Sequence, residues 1–102
     1  MPAEVNLETA LAPDGSALVS VIGEVDISNV EILRGAVESL LEQGRRAIVF
    51  DLRRLTFIDS AGLAMLASAA RRVDSIALRD PSPIVRRVID VSGLGSVLPI
   101  ER

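Results

Sequence analysis

The sequence of 102 residues contains no histidine, no lysine and no cysteine. Histidine is the commonest general base at neutral pH and the commonest metal ligand. A Ser–His–Asp triad and a Cys/His zinc site are therefore excluded within this chain. The absence of cysteine also excludes disulfides and thiolate chemistry. We expect a protein without a metal or cofactor that is not an enzyme.

Aromatic residues are almost absent, since Phe50 and Phe57 are the two in the chain. With 49% hydrophobic residues, a core must be built from aliphatic side chains. A net charge of −3, with no basic stripe interleaved with aromatics, argues against nucleic-acid binding. All 11 basic residues are arginines, which a GC-rich genome explains better than selection for phosphate contacts.

Long apolar runs are missing as well. No run approaches the roughly 18 residues needed to span a membrane, and the start Met-Pro-Ala-Glu lacks the basic and apolar regions of a secretory signal. We therefore expect a cytoplasmic protein that does not insert into membranes.

The first half of the chain predicts a hairpin, a helix and a buried strand. Alternation over residues 5–9 indicates one strand, and a second is expected over residues 17–22 after the turn at Pro13-Asp14-Gly15. Gly23-Glu24-Val25-Asp26 is interpreted as a connector. Ser28 and Glu31 have the spacing of a capping box. The apolar residues that follow repeat at helical spacing up to a stop at Gly44; they are Val30, Leu33, Val37, Leu40 and Leu41. Residues 47–52 are typical of a strand buried on both faces.

The second half predicts two further helices, each followed by a strand. A helix is expected over residues 60–72 and a short strand over 76–78. Ser82 and Pro83 begin a third helix that faces inward with Val85, Val88 and Ile89 and ends at Gly93. Residues 97–100 read as a last strand, at an edge because of Pro99. The order ββαβαβαβ predicts an α/β fold in which helices pack on one mixed sheet, with residues 1–102 forming one domain.

Ser60 is the most informative residue, because an apolar strand turns into a helix there. Such a serine can be a helix cap, a nucleophile or a phosphate acceptor. A nucleophile needs an adjacent base, but the chain has neither histidine nor lysine, and the Gly-x-Ser-x-Gly pattern is absent too. The local pattern favours a cap formed by Asp59 or Ser60. Capping is compatible with modification, because a helix N-terminus tolerates added negative charge.

Three motifs together resemble the STAS domain, in particular the bacterial anti-sigma factor antagonists. Residues 55–63 are similar to that family's phosphorylation-site segment, and Gly23-Glu24-Val25-Asp26 is similar to its loop after the second strand. Residues 82–94 are similar to its third helix and the following turn. The resemblance covers nearly the whole chain. Residues 71–75 depart from it, because they lead almost directly into the next strand where relatives commonly carry one more helical turn.

The resemblance implies a switch controlled by phosphorylation at Ser60. The unphosphorylated protein would bind an anti-sigma factor that is itself a serine kinase, and so free a sigma factor. The phosphorylated protein would let go, and a separate phosphatase would reset it. The family's loops would bring Asp26 close to Ser60, next to Asp59 and Gly62, although Asp26 could equally be a solvated carboxylate or a helix cap.

The second helix suggests a docking surface. Its core stripe is predicted to include Leu63 and Leu66, yet its other faces are also apolar and carry no charge before Arg71. Such a helix is either buried nearly all round or offers a docking patch, unless its alanines are simply good helix formers. The resemblance favours docking, and the predicted partner-binding residues are Glu24, Ala61, Ala64 and Met65.

Two other functions stay open at this stage. The chain is similar, over Gly62-Leu63-Ala64-Met65-Leu66, to STAS accessory subunits of lipid-transport ATP-binding-cassette complexes. A stressosome-type or ligand-sensing module is the third possibility. The Asp59-Ser60 pair favours the antagonist, because the transporter subunits often have threonine or a less serine-like site.

Overall fold

A computed structural model describes residues 3–101, which form one mixed sheet with three helices. In chain order the elements are β1 (Val5–Leu11), β2 (Ala17–Val25), α1 (Val30–Glu42), β3 (Ala47–Asp51), β4 (Leu55–Ile58), α2 (Ser60–Ala70), β5 (Ser75–Arg79), α3 (Pro83–Ser92), a 3-10 turn (Leu94–Ser96) and β6 (Ile100–Glu101). Strands β1 and β2 pair antiparallel, and the other strand pairs among the described residues are parallel. The strand order is β1-β2-β3-β5-β6, with β4 also pairing with β2. The predicted α/β class and mixed sheet are confirmed.

Strand β4 is absent from the predicted order, and the pairing explains why. Residues 17–20 of β2 pair with β3, and residues 23–25 of the same strand pair with β4. The two short strands are thus successive segments along one edge of β2. The turn between them closes when the Leu55 N–H donates to the Leu52 carbonyl at 3.1 Å. An apolar strand was expected just before Ser60, but the hydrophobic pattern alone does not show that it is separate from β3.

Strand β2 runs on to Val25, so the prediction that it stops at residue 22 was wrong. It continues through an irregularity at Gly23 and Glu24, where its register with β4 shifts. Gly23 has φ +105°, and a Cβ there would lie 2.4 Å from the Glu4 carbonyl oxygen. Glycine therefore permits a bend that carries β2 past β1 and on to β4.

The helices follow the predicted periodicity, and one of the three predicted caps is wrong. Val30, Leu33, Val37 and Leu40 are buried on α1. However, the first residue before α1 is Asn29, which makes no side-chain cap, and the Ser28 hydroxyl instead donates to Asp26. The predicted capping box does not form, because α1 begins after Asn29 and Glu31 is then the second helical residue instead of the third. Glu31 pairs with Arg34 instead.

Helix α3 begins and ends as predicted. The Ser82 hydroxyl accepts from the Val85 N–H at 3.3 Å, Pro83 is the first helical residue, and Gly93 ends the helix. Helix α2 ends at Ala70, two residues before the predicted end. Val85 and Ile89 are fully buried, as their spacing predicted.

The chain after α3 differs from the prediction of a strand over residues 97–100. A 3-10 turn occupies Leu94–Ser96, and the N–H groups of Val97 and Leu98 both donate to the Leu94 carbonyl. These bonds keep residues 97 and 98 out of the sheet. The last strand is the two-residue β6 at the sheet edge, with Pro99 just before it.

The core is aliphatic and lies between the sheet and the helices. Val19, Ile48, Phe50 and Leu78 are at most 1% exposed and pack in the same cluster as the buried helix residues. Strand β3 was predicted to be buried on both faces, but Ala47 and Val49 are only half-buried. One face of the central sheet therefore packs more completely than the other.

Asp51 stabilises the turn that leads into β4. Its ionisation should therefore make the free energy of unfolding depend on pH. Its carboxylate is nearly buried and accepts from the Arg53 N–H at 3.1 Å and from the Arg53 guanidinium at 2.8 Å. Burial alone would raise the pKa of Asp51, but the hydrogen bonds and charge of Arg53 outweigh it, so the pKa is lowered. Stability from a lowered carboxyl pKa is present above the unfolded value, about 3.9, and is lost as pH falls through the folded value.

We expect Asp51→Asn to reduce the free energy of unfolding by about 1–3 kcal/mol at pH 7, because a buried charged hydrogen bond is lost. The difference from the unmodified protein should shrink below about pH 4. Urea denaturation across this range measures both values. Asp74→Asn is the control, since its pair with Arg46 is exposed on both sides. A pH-independent difference for Asp51→Asn would contradict the prediction.

Candidate functional site

The start of α2 presents Ser60 in the first helical position. Asp59 is the N-cap residue, and its Oδ1 accepts from the Gly62 N–H at 3.1 Å. The prediction that Asp59 or Ser60 caps this helix is therefore confirmed, with Asp59 in that role. Ser60 is exposed, and within residues 3–101 its hydroxyl takes part in no hydrogen bond. The hydroxyl is thus available to another molecule.

Asp59 also binds the β2–α1 loop (residues 26–29) to the start of this helix through a hydrogen bond. Its second oxygen, Oδ2, accepts from the Ile27 N–H at 3.2 Å. The strands beneath reinforce the contact: Val25 pairs with Ile58, and the Asp59 N–H donates to the Val25 carbonyl at 3.1 Å. Asp26 and Asp59 therefore follow the ends of two neighbouring parallel strands. This pairing joins the loop to the start of α2.

Asn29 organises the loop, although the sequence analysis gave it no role. It is 7% exposed; its Oδ1 accepts from the Asp26 N–H at 3.0 Å and its Nδ2 donates to the Glu24 carbonyl at 2.8 Å. The signal available in the sequence was an amide just before an apolar helix, a typical position for local backbone hydrogen bonds. Asn29 fixes the backbone on which Glu24 and Asp26 are carried.

The segment that Asp59 joins to the start of α2 carries further acidic residues. The Asp26 carboxylate accepts from the N–H of Ser28 at 2.9 Å and from its hydroxyl at 2.5 Å. Asp26 and Asp59 are half-buried, and the Glu24 side chain is exposed. An anion added at Ser60 would therefore lie next to the Asp59 carboxylate, which repels it, and at the positive end of the α2 dipole, which attracts it.

The predicted docking patch on α2 needs one correction. Ala64 is exposed and Ala61 is half-buried, but Met65 is only 3% exposed and belongs to the core. Met65 therefore cannot contribute to a surface in this structure. The reason is the register of the helix, which turns residues 62, 63, 65 and 66 inward together.

The structure adds two surface features to the predicted set. Ile27, in the loop held by Asp59, is 79% exposed and gives the candidate site a large aliphatic side chain at its surface. On the other side, a groove of about 380 Å³ begins at Ser60 and runs between α2 and α3, with Leu63, Val88 and Val91 in its walls and Arg87 at its margin. Sequence pattern could not bring α2 and α3 together in this way.

The described residues suggest surface recognition. Across residues 3–101, no three acidic, histidine or cysteine side chains are grouped so that they could hold a metal ion. Among the helices in this part of the chain, none is long and apolar enough to cross a bilayer. What the site offers is an exposed hydroxyl on a rigid helix start, next to an apolar loop residue and an apolar groove.

Comparison with known proteins identifies the fold family. The family model described as "Mlab, STAS domain" matches residues 9–99. The anti-sigma F factor antagonist of Lysinibacillus sphaericus is 32% identical over 85 residues, which span 78% of this chain and 73% of that protein. The anti-sigma F factor antagonist of Paenibacillus polymyxa is 29% identical over 91 residues, 84% of this chain and 78% of that protein.

Solved structures agree with the sequence relatives. An anti-sigma factor antagonist from Mycobacterium paratuberculosis superposes with a TM-score of 0.86 at 27% identity, covering 95% of this chain and 85% of that one. The antagonist SpoIIAA in its unphosphorylated form has a TM-score of 0.80 at 25% identity, and the match covers 95% of this chain and 89% of that one. SpoIIAA from Bacillus in its phosphorylated form has a TM-score of 0.72 at 25% identity, and the match covers 95% of this chain and 92% of that one.

The chain belongs to the STAS domain family and, within it, to the anti-sigma factor antagonists. These are regulatory binding proteins. The relatives favour this function over that of an accessory subunit in a transporter, since the curated and structural matches described above are named as antagonists.

Proposed function

We propose that this protein is a phosphorylation-controlled antagonist of an anti-sigma factor with serine kinase activity. The unphosphorylated form binds that partner and frees a sigma factor. Phosphorylation of Ser60 by the same partner ends the interaction, and a protein phosphatase restores the first form. The chain itself catalyses nothing, and its place of action is the cytoplasm, where transcription occurs.

The observation that carries this proposal is the way Ser60 is held. Asp59 caps α2 with one oxygen and receives the Ile27 N–H with the other, so the serine and the loop are presented as one rigid unit. The exposed hydroxyl has no competing bond within residues 3–101. A kinase therefore meets a fixed acceptor whose surroundings can serve as its recognition surface.

The proposed docking surface lies around this acceptor. Ala61 and Ala64 continue from Ser60 along α2, and the exposed Ile27 and Glu24 flank it on the loop side. Small alanines allow a partner to approach the helix closely, and one large aliphatic side chain provides apolar area to bury. Interfaces of this kind usually depend on a few such anchoring residues, and Ile27 is the proposed anchor.

The experiment is to incubate the chain with ATP and the purified anti-sigma factor encoded in the same genome. Mass spectrometry should then find one phosphate, on Ser60. Ser28→Ala is the matched control, because Ser28 is also exposed and lies in the neighbouring loop, yet its hydroxyl bonds to Asp26. The control should still be phosphorylated and Ser60→Ala should not. The proposal would be contradicted if the phosphate were found on another serine or if no cognate kinase added one. Stable copurification with a transporter ATPase would also contradict it.

A further inference from the structure

The groove between α2 and α3 brings Arg87 and Ser60 to the same cavity. Ser60 stands at the start of α2, and Arg87 lies in the middle of α3. Both line the cavity of about 380 Å³, whose other walls are mainly aliphatic. Arg87, an exposed residue, therefore lines the same largely apolar groove as the proposed phosphate acceptor.

Arg87 differs from most other arginines in the chain, because its charge is not engaged. Of the ten arginines in the described residues 3–101, six form ion pairs with carboxylates: Arg34, Arg46, Arg53, Arg54, Arg72 and Arg79. Arg87 forms no ion pair or side-chain hydrogen bond within this part of the chain. It can therefore accept an anion without breaking an existing contact.

We propose that Arg87 is the internal ion-pair partner of the phosphoryl group on Ser60, an inference that rests on the proposed phosphorylation of that serine. A phosphoryl group carries about −1.5 to −2 charges and three acceptor oxygens at pH 7. The planar guanidinium binds such oxygens in a bidentate manner. Phosphorylation then moves the Arg87 side chain across the mouth of the groove, which removes both the positive charge and the apolar walls from the surface available to a partner.

Arg71 is the other unpaired arginine near the groove, but its position suits the role less well. It lines a neighbouring cavity that also includes Ser60, and it is the residue directly after α2. Eleven helical positions separate it from Ser60, about 16 Å along the axis. Arg86 is adjacent to Arg87 and also unpaired in the described residues, but it does not line the groove. Arg86 therefore provides a matched control of equal charge.

The test uses phosphoserine incorporated at position 60 during translation, so that no kinase is needed. The second ionisation of its phosphate is followed by ³¹P NMR in the unmodified background, in Arg87→Gln and in Arg86→Gln. A nearby cation stabilises the dianion and lowers its pKa. We expect Arg87→Gln to raise that pKa by roughly half a unit to one unit and Arg86→Gln to leave it nearly unchanged. Arg87→Lys should restore much of the shift, but not the bidentate geometry.

Equal phosphate pKa values in the Arg87→Gln and Arg86→Gln proteins would overturn the ion pair. A rise produced by Arg71→Gln instead would overturn the assignment to Arg87. Neither result depends on a partner, so failure of the kinase assay would refute the proposed function separately. Circular dichroism of each variant checks its folding, which an exposed and unpaired side chain should not affect.

Discussion

Phosphate on Ser60 is expected to lower the affinity of the chain for its anti-sigma partner by at least about tenfold, equivalent to about 1.4 kcal/mol. Two unit charges roughly 6 Å apart interact by about 3 kcal/mol at an effective dielectric constant of 20, and by less where solvent screens them. Asp26 and Asp59 add to the negative charge on this side of the site. A tenfold loss therefore needs only one partly screened repulsion with the partner or the loss of one contact.

Isothermal titration calorimetry with the purified anti-sigma factor measures this change. The phosphoserine-60 protein is compared with the unmodified chain and with Ser39→Glu, which adds negative charge at an exposed position on α1. Ser39 lies nine residues into that helix, about 14 Å along its axis from the loop. The control should bind within about twofold of the unmodified chain at physiological salt, because screening is strong at that distance. Equal affinities for phosphorylated and unmodified proteins would contradict the switch.

Replacing Gly62 with alanine should destabilise the protein by about 1–3 kcal/mol and displace Ser60. A Cβ on Gly62 would lie 2.6 Å from Ile58 Cγ1 and 2.9 Å from Val25 Cγ1. Both neighbours are almost fully buried, so neither can move aside without disturbing the core. The start of α2 must then move away from β2 and β4, which distorts the hydrogen bond between the Gly62 N–H and Asp59 Oδ1.

Gly35→Ala is the control for this substitution, because replacing glycine with alanine at that position is expected to raise the free energy of unfolding instead of lowering it. Gly35 lies on the exposed face of α1, and a Cβ at that position meets no atom within 4 Å. Alanine should therefore stabilise the protein by roughly 0.5–1 kcal/mol through its helix propensity. Urea denaturation gives both values. Stabilisation by Gly62→Ala would show that α2 does not pack against β2 and β4 as closely as the structure indicates.

Much of the fold was predictable because its signals are local. The inward face of α1 repeats every three to four residues, and α3 carries a serine cap, a proline in its first turn and a terminal glycine. Such features depend on the chain's immediate neighbours and need no knowledge of tertiary contacts. The α/β class then follows from the order of the elements.

The parts that could not be predicted depend on contacts between distant segments. Strand β4 has only four residues and is defined by its pairing with β2, about thirty residues earlier. Met65 appeared to be an exposed docking residue because every face of α2 is apolar, so periodicity could not assign its inner side. The role of Asp59 in capping was visible locally, but its bond to the Ile27 N–H joins positions 32 residues apart.

The pairing of β4 with the end of β2 has a consequence for the thermodynamics of recognition. Because that pairing sets the backbone at Asp59 before any partner arrives, little conformational entropy remains to be lost at this point on binding. An interaction that begins from an ordered surface can be strong with a small contact area. It can also be reversed by one phosphoryl group without refolding, so the cell can cycle the same molecule between its two forms.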